Sequence, residues 1–199
     1  PFLPEGGASI LVLAGATPDY AGLRDFLDVG DEVGETALRD RFYDYLRDQG
    51  RKALAGGGEA SYEAAREAIL ALFPTSAITG GDIEFFNSQI KTEQGGGIDM
   101  LAPGGGVTVG IANPDKTLDK DAGNLGLFTI RGGDIRALVR DDFLVNQSRV
   151  FTLDGGDILI WADKGSIDAG SGAKTVSATP PPVLVIRNGQ VVLVSSNSV

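Results

Sequence analysis

Three aspartates in this chain follow a glycine pair and precede an isoleucine: Asp82, Asp134 and Asp157. Carboxylates gathered from adjacent strands could work as the acid and base of glycoside hydrolysis, or ligate calcium through oxygen. Aspartate after Gly-Gly also serves as a turn residue whose carboxylate accepts backbone N–H bonds. Like charges stacked about 4.8 Å apart on neighbouring strands repel unless a cation or a different register intervenes. Neither a nonapeptide calcium repeat nor EF-hand spacing is present, so no metal ligand is assigned. Gly170-Ser-Gly-Ala-Lys-Thr175 comes close to a phosphate-binding loop, but Ala173 stands where that motif needs glycine. The chain has no His and no Cys. That excludes thiol and imidazole catalysis, disulfides, Cys/His zinc sites and the usual haem or iron–sulfur ligands. No catalytic, cofactor-binding or metal-binding residue follows, and the chain reads as non-enzymatic.

The elements that would position these aspartates fall into two kinds. Ile10 to Leu13 is an apolar run, a candidate buried strand. Thr17 before Pro18 suggests an N-cap and first helical position, with Leu23, Phe26 and Leu27 at helical spacing behind them. Leu38, Phe42, Tyr45 and Leu46 form the stripe of a second helix, with Gly50 as its expected stop. Ser61 would cap a third helix carrying Tyr62, Ala65, Ile69, Leu72 and Phe73, ended by Pro74. Between Thr17 and Thr75 lie 12 acidic and 7 basic residues.

From Ser76 onward, short β-type runs alternate with glycine pairs at Gly80-Gly81, Gly96-Gly97, Gly105-Gly106, Gly132-Gly133 and Gly155-Gly156. The expected strands are Ile83 to Phe86, Val107 to Ile111, Leu127 to Ile130, Ile135 to Val139, Phe143 to Val145 and Ile158 to Trp161. Their alternation predicts one core face and one wet face. Recurrence of Gly-Gly-Asp-Ile favours a mainly β fold, a right-handed parallel β-helix with an inserted α-helical subdomain of about three helices. A β-sandwich is the rival, since it too is built of short, regularly spaced strands. The expected division is a leading strand in 1–16, a helical insertion in 17–75, about five coils of roughly 20 residues in 76–179, and a proline-rich exit with a terminal hairpin in 180–199. The hairpin joins Val183–Arg187 to Gln190–Val194 through Asn188-Gly189.

Several longer phrases carry a family likeness. Phe143 to Leu153, Gly155 to Ala162, Gly165 to Thr175 and Pro180 to Pro182 resemble the later part of filamentous haemagglutinin-type exoproteins. Gly80 to Ile83 and Ser88 to Gly104 are similar to the same family. The resemblance implies a very large adhesin, secreted or held at the cell surface of a Gram-negative bacterium. It further implies two-partner secretion through a dedicated outer-membrane transporter, and roles in adhesion, biofilm formation, virulence or contact-dependent competition. A glycan or protein receptor on host or bacterial cells is the implied partner.

A net charge of -10, from 27 acidic and 17 basic residues, repels nucleic acid and anionic membrane. No apolar run approaches the roughly 18 residues of a membrane span. The opening Pro-Phe-Leu-Pro lacks an initiator Met or signal peptide and reads as a piece of something longer. Phe85, Phe86, Phe128, Phe143, Phe151 and Trp161 would be sugar-stacking platforms if exposed and core if not. The sequon Asn146-Gln147-Ser148 reads as a turn. The helical block could cap the end of the stack, protrude as a recognition module, or associate through a second apolar face.

Overall fold

The computed structural model describes residues 7–110 and 125–170 and the strands at 183–187 and 190–194. Together they make a mixed α/β arrangement of parallel sheets and helices. Three sheets are wholly parallel. The first runs β1 (Ile10–Leu13), β4 (Ile98–Ala102), β7 (Ile135–Val139) and β10 (Ile158–Ala162). The second runs β2 (Ile83–Phe85), β5 (Val107–Val109), β8 (Phe143–Leu144) and β11 (Ile167–Asp168). The third contains β3 (Gln89–Thr92), β6 (Gly126–Thr129) and β9 (Arg149–Thr152). Each strand pairs with the one three places on, so the chain visits the sheets in fixed rotation.

The strides are set by the register. Ile135 lies beside Ile158 and Ile83 beside Val107. The corner contacts that precede these pairs, Asp134 to Asp157 and Asp82 to Gly106, show the same strides of 23 and 24. Ile98 lies beside Ile135 and Gln89 beside Gly126, a longer stride because this level includes residues 111–124. The expected coil of roughly 20 residues is therefore short. Among the described residues the first two sheets have four strands each and the third has three.

The glycine pairs are explained by these corners. Gly133 has φ +96°, and a Cβ there would lie 2.3 Å from the carbonyl oxygen of Gly96 one level below. Gly156 repeats this, with φ +94° and the same 2.3 Å to the Gly133 carbonyl. A side chain fits neither the dihedral nor the space.

Inside the rotation, Ile98, Met100, Ala102, Ile135, Ala137, Val139, Val107, Phe143 and Leu127 pack into one cluster. The expectation of one wet face fails for β6 and β7, which are buried at every position, and β4, not among the expected strands, is buried at all five positions like β7. Their outward Leu101 and Leu138 lie under the helices.

Those helices are α1 (Tyr20–Leu27), α2 (Glu35–Lys52) and α3 (Gly58–Leu72), inserted between β1 and β2. The insertion leaves and rejoins the sheets at one point: Ala16 bridges Ile78, and the Thr79 N–H donates to the Gly15 carbonyl at 2.8 Å. The helices lie along the outer face of the first sheet, packed over Leu101 and Leu138. Three sequence details are corrected. The cap of α1 is Asp19, whose carboxylate accepts the Gly22 N–H at 2.9 Å, while the Thr17 N–H donates to Ala77. Gly50 does not stop α2, which continues through a π turn at Ala53–Gly57 until Gly56 breaks it at φ +110°. Ser61 lies within α3, which starts three residues earlier.

A hairpin of β12 (Val183–Arg187) and β13 (Gln190–Val194) completes the described chain, with Arg187 opposite Gln190. Its expected turn at 188–189, the prolines at 180–182 and the Gly170–Thr175 loop beyond Gly170 fall outside the described residues. Among the described residues no helix is long and apolar enough to cross a membrane.

Two glycines should respond oppositely to alanine. Gly133→Ala should cost about 2 kcal/mol or more through strain and collision. Gly50→Ala, whose Cβ would meet Trp161 at an ordinary 3.8 Å, should stabilise by about 0.5–1 kcal/mol. Urea unfolding midpoints of the two variants provide the check.

Candidate functional site

The aspartates do not converge. Asp134 and Asp157 sit one above the other at the corner leading into the first sheet, and Asp82 sits at the corner leading into the second. Each of Asp82, Asp134 and Asp142 accepts a backbone N–H from the next level at 2.8 Å, from Gly106, Asp157 and Ser166 respectively. Ser9 does the same for Gly97 at 3.1 Å. The carboxylates thus satisfy corner amides that the parallel ladder leaves over. Asp157 faces Arg47 at 3.8 Å. Among the described residues no group of three or more carboxylates could hold a metal ion.

Sequence reasoning missed a second corner device. Thr92, Thr129 and Thr152 stack in register, and each hydroxyl donates to the carbonyl four residues on, at 2.5, 2.6 and 2.9 Å. The signal was present as Thr-x-x-Gly-Gly-x-Ile at 92–98, 129–135 and 152–158. Asn146 takes φ +55° and donates to Gly110 at 3.2 Å, in keeping with a turn role.

Also missed was a charge cluster between the helices and the first sheet. Arg136 on β7 makes a two-pronged pair with Asp99 on β4, at 2.6 and 3.0 Å, and reaches Asp40 on α2 at 2.5 Å. Its guanidinium lies 4.6 Å over the Tyr43 ring. Arg39 approaches Asp99 at 3.4 Å and donates to the Tyr20 hydroxyl at 3.1 Å. Asp99 and Arg136 are 3% and 8% exposed, too little for a substrate to reach them. Burial works against the charge on Arg136, but the hydrogen bonds to Asp99 and Asp40 outweigh it and raise its pKa. Burial pushes the Tyr43 phenol far above its ordinary value, and the Asp99 charge adds to this against the two arginines. The cluster fastens the insertion to the sheet. Its signal was a pair of opposite charges at one offset in the apolar phrases Ile98-Asp99-Met100 and Ile135-Arg136-Ala137.

One accessible groove lies at the last level. A groove of about 720 Å³ runs between β10 and the helices, with Trp161, Ile160 and Ile167 on one side and Leu54, Tyr62 and Arg66 on the other. The Tyr62 and Trp161 rings are 6.0 Å apart. Arg66 is held by Asp163 at 3.0 Å and Glu63 at 2.8 Å. Of the proposed sugar platforms, Phe128 and Phe143 are fully buried, Phe128 stacks on Phe151 at 4.6 Å, and Phe86 is 58% exposed. Only Trp161 among them lines this groove.

Replacing Arg136 with methionine should cost about 3–5 kcal/mol, because Asp99 is left buried with only the more distant Arg39. Changing Asp99 and Arg136 together to leucine should recover most of that loss, as read from the denaturant midpoints of the single and double variants. The Tyr43 hydroxyl is buried without a hydrogen-bond partner, so Tyr43→Phe should be neutral or stabilising by up to about 1 kcal/mol at pH 7. The folded pKa of Tyr43 is raised, so its contribution is intact below about pH 10 and is lost as pH climbs beyond that. Tyr43→Phe should therefore flatten the alkaline fall in stability, measured by urea unfolding at pH 7 and pH 11.

A family model described as filamentous haemagglutinin family outer membrane protein matches residues 155–199, which include β10, β11 and the hairpin. No curated protein and no solved structure matches the chain.

Proposed function

We propose that the chain is a segment of a large secreted or cell-surface adhesin of the filamentous haemagglutinin type, and that its three sheets are the sides of a right-handed parallel β-helix. The observation that carries this reading is the every-third-strand parallel pairing of all three sheets, whose last level lies inside the stretch matched by the family model. The segment is non-enzymatic. It acts as a rigid shaft that supports adhesion, biofilm formation or contact-dependent competition, and the parent protein leaves a Gram-negative cell through a partner outer-membrane transporter. Its receptor is a glycan or protein on another cell. Use of Asp82, Asp134 and Asp142 as acceptors for corner amides favours this architectural role over polysaccharide hydrolysis.

Incubation of the purified chain with intact cells, immobilised glycans and a panel of acidic polysaccharides tests the reading. Saturable retention on cells or glycans, with no new reducing ends in any polysaccharide, is the expected result. Catalytic depolymerisation that disappears in Asp134→Asn would sink it in favour of a β-helical enzyme.

A further inference from the structure

Among the described residues the fourth level ends on an open edge. In the first sheet every level donates upward in the same way: Ile10 N–H to Gly97, Ile98 N–H to Asp134 and Ile135 N–H to Asp157. Asp163, in contrast, donates back to Val139. Continuing that alternation, the N–H groups of Ile158, Ile160 and Ala162 point away from β7, toward the place of a next strand. The apolar surface is unfinished at the same end, where Ile158 is 44% exposed, Ile167 50%, Leu54 87% and Tyr62 40%. An uncovered parallel edge of this kind is a template for strand addition.

The spacing of the chain points to its own C-terminal hairpin as the occupant. On the way from the second sheet to the next strand of the first, the stretches from Ile83 to Ile98 and from Phe143 to Ile158 are equal in length. The stretch from Ile167 to Val183, the first residue of β12, is longer than these by a single residue. The register of the hairpin fits as well. Two residues separate Arg187 from Gln190, so Arg187·Gln190, Val185·Val192 and Val183·Val194 are the pairs that exchange backbone hydrogen bonds. Residues 183, 185 and 187 thus spend their backbone groups on β13, leaving those of Leu184 and Ile186 unspent. A parallel strand with Val183 opposite Ile158 would use the groups of Leu184 and Ile186. Shifting by one residue would not. The family model also spans β10, β11 and both hairpin strands as one stretch.

We propose that β12 adds to β10 as the fifth parallel strand of the first sheet, Val183 opposite Ile158, and that β13 closes the sheet as an antiparallel edge. Ile160 N–H then donates to the Leu184 carbonyl and Ala162 N–H to that of Ile186. Leu184 and Ile186 take the register positions of Leu159 and Trp161, beside the groove walled by Leu54 and Tyr62. Val183 and Val185 continue the columns of Ile158 and Ile160. Closure by an antiparallel hairpin ends a stack that parallel strands alone would leave able to recruit another chain. This inference stands on register and spacing and does not depend on the adhesin reading.

Residue-resolved amide exchange on the full, unsubstituted chain tests it by NMR. Ile160 and Ala162 should be protected at least about 100-fold, to the extent expected of Leu159 and Trp161 from their pairing with β7. Exchange of Ile160 and Ala162 at unprotected rates overturns the proposal. The occupant is identified by Leu159→Cys paired with Leu184→Cys, in a chain that has no other cysteine. Neighbouring strands about 4.8 Å apart are within reach of a disulfide. Oxidation should give an intrachain bond in a monomer, and Leu159→Cys with Val185→Cys should give none. A bond between two chains, or none in the in-register pair, overturns the proposal and assigns any protected edge to another occupant.

Discussion

Strands β4 and β7 have no solvent side, and most of the architecture answers to that fact. Their inward residues fill the space between the three sheets, and their outward residues need a second cover. The helical insertion provides it, with Leu23, Leu38, Phe42, Leu46 and Leu72 closing over Leu101 and Leu138. Two charges are caught in this seam. Asp99 and Arg136 stand side by side on adjacent strands, where either alone would be prohibitive and together they set where α2 must lie. The apolar area supplies most of the attraction, and the charged contacts supply position.

The corners solve a different problem. A parallel level that turns three times leaves backbone groups outside the ladders, and these cannot be abandoned beside a packed interior. At the corner into the first sheet threonine hydroxyls take carbonyls and Asp134 takes an N–H, Asp82 takes an N–H at the corner into the second sheet, and glycine permits the close approach of one level to the next. Short polar side chains with short reach are suited to this, which is why the chain carries acidic residues at its turns without assembling an acidic site.

The sequence was legible where one physical signal dominated. Ile10–Leu13 is an apolar run bounded by small residues, Ile135–Val139 is apolar but for Arg136, and both form strands over those same ranges. Leu38, Phe42 and Leu46 fall on the buried face of α2 as their spacing requires. β3 and β9 carry no apolar run, each having at most two apolar residues beside Lys91 or Arg149, and β4 carries Asp99 at its second position as β7 carries Arg136. For Asp99 the partners that make the charge tolerable, Arg136 and Arg39, lie far away in sequence. Tyr43 lies outside the stripe Leu38, Phe42, Tyr45 and Leu46, yet it is buried at 1% exposure within the helical cluster and beneath Arg136. The three aspartates shared a phrase but not a corner, since Gly-Gly introduces two of the three sheets.

The point where the insertion leaves and rejoins the sheets bears on the order in which the molecule can assemble. Ile10 must find Ile98 across the whole helical insertion, whereas Ile135 needs only to find Ile158 across a single turn of the rotation. Closing the longer loop from an unstructured chain costs about 1 kcal/mol more in entropy. Once the helices have folded and Ala16 has met Ile78, that detour is short-circuited and β1 is separated from β4 by little more than one ordinary turn of the rotation. Pairing of the first strand therefore leans on the insertion, a helical bundle of local contacts that serves as the splint for a distant parallel pairing.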